Sequence, residues 1–235
     1  MTAHYHDLAD TAERVEVLST FALPGHDTSA VSTDGLYRNV VKRAFDMIAV
    51  AVAAPIILPI ILLLALLVAR DGGKPFYSQK RVGKGGKVYT MWKLRSMVQD
   101  ADSKLEAYLD ATPLARQEWN STQKLKSDPR ITRFGRLLRK SSMDELPQLW
   151  NVFKGDMSLV GPRPMMPEQQ VLYPGRAYYA LRPGITGLWQ VSERNDSTFA
   201  DRARFDAQYE RDVSLQTDLG LLVATIRVVL NATGY

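Results

Sequence analysis

Cysteine is absent from this chain of 235 residues, and its three histidines, His4, His6 and His26, all precede residue 27. The first absence excludes disulfides, thiolate nucleophiles and Cys-ligated zinc, and it permits a reducing compartment. The second leaves the rest of the chain to do any acid–base chemistry without imidazole, which excludes Ser-His-Asp, Cys-His and HExxH mechanisms. Acidic residues are also unevenly spread. Residues 1–36 hold Asp7, Asp10, Glu13, Glu16, Asp27 and Asp34 against Arg14, a net of −5, so the remainder of this +5 chain carries +10. So basic a body wants anionic partners: nucleic acid, lipid headgroups or phosphorylated substrates. The acidic segment has little apolar periodicity and reads as a disordered or loosely docked tail. It lacks the basic start and apolar run of a signal peptide. The length suits one compact domain plus a tail or anchor.

Long apolar runs are present once. Met47 to Ala69 contains no charged residue and is mostly Ile, Leu, Val and Ala. As a helix it would reach roughly 35 Å, enough for a hydrocarbon core of about 30 Å. A soluble core helix of that length would ordinarily show a polar face. Pro55 and Pro59 interrupt the run, and each removes a backbone hydrogen bond, so a bend is expected. Arg38, Lys42 and Arg43 precede the run, and Arg70, Lys74, Lys80, Arg81, Lys84 and Lys87 follow it. Basic residues at both ends place both on the cytoplasmic side under the positive-inside rule. A broken, re-entrant helix satisfies both observations; a kinked single pass remains the alternative.

Beyond the anchor, Phe76–Arg81 and Val88–Trp92 read as strands joined by a Gly-Lys-rich turn over residues 83–87, which lacks Walker-loop spacing. A polar helix is expected over Ser96–Leu109. After Asp128-Pro129, Ile131, Phe134, Leu137 and Leu138 share a helical face among Arg130, Arg133, Arg136, Arg139 and Lys140. Such a helix suits a headgroup surface or ordinary packing on the core, and both stay open. Leu219–Leu230 is apolar but too short to span.

The segment Ser141-Ser142-Met143-Asp144-Glu145-Leu146-Pro147 holds the most suggestive chemistry. Ser142 and Glu145 have capping-box spacing, but a cap at Asp144 places Pro147 in the first turn, where it is tolerated. Either way Asp144 is expected at the positive end of a helix, which favours its ionised form.

Further motifs run in order from Lys126-Ser-Asp128-Pro-Arg130 through Gly135-Arg-Leu-Leu-Arg139 to Asp144-Glu145-Leu-Pro-Gln-Leu-Trp-Asn151. Lys154-Gly-Asp156-Met-Ser-Leu-Val-Gly161-Pro-Arg163-Pro and Arg182-Pro-Gly184-Ile-Thr-Gly187 follow. From about Arg38 onward the chain resembles the bacterial sugar transferase family, the monotopic phosphoglycosyl transferases that begin exopolysaccharide assembly. The resemblance implies an α/β fold: a small mixed catalytic domain with amphipathic interfacial helices on a re-entrant membrane anchor. The corresponding divisions are a tail over 1–36, an anchor over 37–70 and a catalytic domain over 71–235. It implies hexose-1-phosphate transfer from a UDP-sugar, with galactose or glucose as cargo by analogy, to undecaprenyl phosphate at the cytoplasmic face of the inner membrane. Asp144 would be the nucleophile and Glu145 a catalytic ligand of Mg2+. Lys93, Arg139, Arg163 and Arg194 would bind substrate phosphate or uridine. Homo-oligomers and downstream glycosyltransferases are partners the resemblance allows.

The chemistry of these residue types agrees with that reading. A carboxylate is a competent nucleophile towards phosphorus, and Mg2+ is commonly held by one or two carboxylates plus substrate phosphates. Phosphoryl transfer needs alignment and charge neutralisation more than proton shuttling. Two departures from the family pattern stand out: Ala54 where Ser often precedes the proline, and Glu193-Arg194-Asn195 where Gly-Arg-Asn is common. A catalytically silent membrane scaffold is the rival reading. A nucleic-acid-binding role is disfavoured by the apolar run, and a polytopic transferase is excluded by there being one such run.

Overall fold

The computed structural model describes residues 35–122, 125, 127–192 and 199–230, so most of the acidic tail lies outside it. Helix and strand mix, with helix predominating. A π-helical turn over Tyr37–Val41 leads into helix α1, Lys42–Ala69. Strands β1, Phe76–Val82, and β2, Val88–Leu94, pair as a hairpin. Helices α2, Ala101–Ala111, α3, Pro113–Thr122, α4, Arg133–Lys140, and α5, Gln148–Lys154, follow. Strands β3, Ser158–Val160, and β4, Gly184–Thr186, then pair in parallel, Ser158 opposite Gly184 and Val160 opposite Thr186. Helices α6, Arg202–Arg211, and α7, Leu215–Leu230, complete the described chain.

These residues group into two compact units that interleave along the sequence. One contains residues 35–50, Lys80–Thr90 and Asn151–Thr225; the other contains Ala51–Gln79, Met91–Trp150 and residues 226–230.

In the first unit, the start of α1 is fixed by polar contacts. Lys42 Nζ lies 2.5 Å from Asp218 Oδ2, and Tyr37 donates its hydroxyl to the same oxygen at 2.7 Å. Tyr209 donates to Asp218 Oδ1 at 2.6 Å, so the fully buried Asp218 is satisfied on both oxygens. Asp46 accepts from the Ser158 hydroxyl and the Leu159 N–H on β3, while Arg43 donates to the Val152 and Phe153 carbonyls. Beside this network, Val160, Leu181, Tyr209 and Leu221 form an apolar core. β3 and β4 meet at close quarters: a β-carbon on Gly184 would stand 2.1 Å from the Gly161 nitrogen. The glycines of two sequence motifs are therefore present because their backbones touch.

The second unit holds the apolar part of α1. Leu64, Ala65 and Val68 pack with Leu94 of β2 and Leu138 of α4, joined by Phe134 and Leu146. Elsewhere α1 is bare. Only 17% of its most apolar window is buried, and Val52, Ile56, Leu63 and Leu66 are exposed. Soluble core helices are mostly buried, whereas a contiguous apolar surface of this size belongs against lipid or another apolar partner. The helix also runs through Pro55 and Pro59 as one element. The break expected there is thus not an interruption of the helix; the two missing N–H groups, one turn apart, weaken a single face.

The expected helix at Ser96 begins only at Ala101. Residues 96–98 instead pair in extended form: Thr132 N–H donates to Ser96 O, Val98 N–H donates to Arg130 O, and Met97 bridges Ile131. Arg130, expected on the basic helical face, precedes α4, where it binds Asp128 at 2.7 Å and covers the Trp119 ring.

Candidate active site

Asp144 owes its position to how α4 starts and stops. Thr132 caps the helix by accepting from Gly135 N–H at 2.8 Å. Gly135 lies against the backbone of residue 96, where a β-carbon would stand 1.9 Å from the Ser96 carbonyl oxygen. The helix stops because Ser142 adopts a left-handed conformation, φ 56°, uncommon outside glycine and asparagine. The chain then turns through a 3-10 turn, Met143–Glu145, with Asp144 pointing inward at 8% exposure.

Asp144 therefore does not cap the next helix, as the sequence suggested. A cap at Asp144 would bind the N–H two or three residues on. The third is Pro147, which has none, and Leu146 N–H already donates to Met143 O. Helix α5 starts after the proline, at Gln148, and Ser142 makes no side-chain capping bond either.

The charges around Asp144 are arranged in a definite way. Lys93, on β2, donates to Glu145 Oε1 at 2.7 Å. Arg139, on the last turn of α4, donates from Nε to the Ser96 hydroxyl at 2.9 Å. Asp144 itself makes no ion pair among the described residues. Burial pushes its carboxyl up to about 6; Lys93 opposes this, Glu145 adds to it, and Arg139 opposes it. A group so placed is mostly ionised at neutral pH yet poorly solvated, which suits a nucleophile. Burial also lowers the Arg139 pKa, while the charge of Asp144 raises it.

Four of the expected site residues, Lys93, Arg139, Asp144 and Glu145, thus share one unit. Arg163 belongs to the other, on the loop after β3, where its guanidinium lies 5.6 Å from the centre of the Trp189 ring. Arg194 and Glu193 lie outside the described residues. The sequence reading missed Arg202, whose guanidinium covers Trp189 and Phe199 at 4.3 and 4.4 Å. Its Asp-Arg-Ala-Arg-Phe-Asp setting alternates in charge like a solvated helix face, so no periodicity singled it out.

Among the described residues no three His, Cys, Asp or Glu side chains cluster as a metal cage. A hard cation that takes most of its oxygens from substrate phosphates and water needs only one or two protein carboxylates, which Glu145 could supply. Glu145 would share its carboxylate between that cation and Lys93.

The described residues thus hold a buried carboxylate beside a Lys–Glu pair, and one long apolar helix that is largely exposed. In comparison with known proteins, residues 37–232 match the family described as bacterial sugar transferase, and the chain belongs to that family. It is 46% identical over 196 residues to the UDP-galactose-lipid carrier transferase of Erwinia amylovora, covering 83% of this chain and 41% of that one. It is 45% identical over 200 residues to the undecaprenyl-phosphate galactose phosphotransferase of Salmonella typhimurium, with the same coverages. To exopolysaccharide production protein ExoY of Rhizobium meliloti it is 43% identical over 222 residues, 92% of this chain and 95% of that one. The chain spans about two-fifths of the length of the first two relatives and nearly all of the third.

Proposed function

We propose that this protein transfers a hexose-1-phosphate from a UDP-sugar, galactose or glucose being the favoured sugar, onto undecaprenyl phosphate, starting exopolysaccharide assembly. The observation that carries the proposal is Asp144: buried, without an ion pair of its own, and flanked by Lys93, Arg139 and Glu145. A carboxylate oxygen of Asp144 attacks the phosphorus that bears the sugar. The bond from that phosphorus to the UMP oxygen breaks, and UMP leaves. A phosphate oxygen of the polyprenyl carrier then attacks the same phosphorus, which breaks the bond to Asp144 and restores its carboxylate. Lys93 and Arg139 supply positive charge beside the reacting phosphate, where preorganised charge is most effective. Mg2+ held through Glu145 would supply further charge neutralisation to the phosphate oxygens.

The setting proposed is the cytoplasmic face of the inner membrane. Basic residues flank both ends of the apolar helix, which supports a path that leaves on the side it entered, flexed at Pro55 and Pro59.

The test is UMP release from UDP-galactose and UDP-glucose, with undecaprenyl phosphate and Mg2+, by wild type and by Asp144→Asn. Turnover is expected in wild type and lost in the variant or with EDTA. Full activity in Asp144→Asn would sink the mechanism, whereas no turnover in wild type would leave the membrane scaffold.

A further inference from the structure

The first unit gathers half-buried positive charge, of which only Arg163 has so far been given an expected role. Arg202 opens α6, and its Nε is fully buried with no hydrogen-bond partner. Its guanidinium and that of Arg163 both lie on the Trp189 ring, at 4.3 and 5.6 Å. Arg81 belongs to the same cluster, held by its bond to the Pro164 carbonyl, next in sequence to Arg163. Neither Arg163 nor Arg202 makes an ion pair among the described residues. The facing carboxylate is Asp206, one turn on from Arg202, which accepts the Tyr173 hydroxyl at 2.9 Å. Burial pushes the Asp206 carboxyl up to about 7, so near neutral pH it carries only part of a charge. Burial, and then the nearby charge of Arg163, lowers the Arg202 pKa to about 10.

Among the described residues, guanidinium groups gather around one aromatic ring with one half-ionised carboxylate facing them, an arrangement short of counter-charge. An anion placed between the forks supplies that counter-charge, and phosphate oxygens match guanidinium geometry two by two. We infer that Arg202 and Arg163, backed by Trp189, form a clasp for a phosphate group, with Arg202 as a binding residue that sequence reasoning passed over. The inference rests on reading the chain as a transferase of phosphorylated substrates. Two substrates carry this chemistry, the nucleotide and the polyprenyl phosphate.

The full-length protein in lipid nanodiscs is titrated with pyrophosphate, with UDP and with undecaprenyl phosphate, as wild type, Arg202→Gln, Arg202→Lys and Arg211→Gln. Arg202→Gln is expected to weaken pyrophosphate about tenfold, the loss of a charged hydrogen-bonding partner. Arg202→Lys should fall between, keeping charge but losing the fork. Arg211→Gln removes the same charge from the far end of α6 and should bind as wild type does. Whichever of UDP and undecaprenyl phosphate weakens in parallel identifies the source of the phosphate. The melting temperature of Arg202→Gln should not fall, because a buried like charge has gone; should that variant fail to fold, Arg202→Lys decides alone. Pyrophosphate affinity unchanged by substitution at Arg202, or no binding in wild type, overturns the clasp. UMP release that persists beside unchanged binding would overturn the clasp and spare the transferase reading. Loss of binding in Arg202→Gln, in a protein that turns over no UDP-sugar, would do the reverse.

Discussion

At the scale of single residues, the charge state of Asp144 sets the pH response. Its carboxyl titrates near 6 in the fold, above the ordinary carboxylate range, chiefly because it is buried. The nucleophilic form is the ionised one, so kcat/KM should fall as pH drops through about 6 and level off above it. Lys93 favours the ionised form, and Lys93→Met should move that acid limb to higher pH in whatever activity remains; a limb that stays put would show that another group titrates. The stability effect has the opposite sign. A folded pKa raised above the unfolded value means that the fold prefers the proton, so stability falls as pH rises from the ordinary carboxylate range to about 6, and the penalty stays at full size above that. Asp144→Asn should therefore abolish turnover while raising the melting temperature. Sequence alone singled out Asp144, Glu145, Lys93 and Arg139 through motif order, and the structure places these four in one unit. What it could not give was the environment. Capping arithmetic put Asp144 on an exposed helix start with a favoured negative charge, whereas the proline removed the cap and the left-handed Ser142 turned the side chain inward.

Secondary-structure elements were legible where one period dominated. The hairpin of β1 and β2 extends one and two residues beyond its expected ends, while α4 keeps only part of its expected apolar face, with Leu138 buried and Phe134 packed beside it, Leu137 exposed and Ile131 preceding the helix. The start of α2 failed because residues 96–98 satisfy their backbone across the chain, which a local pattern does not record. Gly135 makes that crossing possible. Gly135→Ala should cost about 1–3 kcal/mol by overpacking against the Ser96 carbonyl, measurable as a lower denaturant midpoint. No loss would mean the crossing is looser than described. Residues 219–230 offered no choice between core and interface from sequence, and the helix divides the answer: Leu221 is buried while Leu219, Val223 and Ile226 are exposed.

For the whole molecule, the buried Lys42–Asp218 pair is the feature that sequence could not reveal, since 176 residues separate its partners. Asp218→Asn leaves a buried ammonium without its counter-charge and should cost about 3–5 kcal/mol, read by thermal unfolding in nanodiscs. Adding Lys42→Met should recover part of that loss; no recovery would locate the cost in the Tyr37 and Tyr209 hydroxyls instead. The path of α1 can be read from the same chain, because without native cysteine a single introduced thiol is a unique reporter. Leu36→Cys and Lys74→Cys should react with an impermeant maleimide from the same side of sealed vesicles if the helix returns, and from opposite sides if it crosses.

The contacts of Asp46 with Ser158 and Leu159 also fix a level. Met47, the first residue of the uncharged run, follows directly, so the apolar stretch starts one residue beyond the tie to β3. A helix tied there has little freedom to ride up or down with the thickness of its surroundings. A bilayer that receives α1 as proposed would meet its apolar run one residue past this tie.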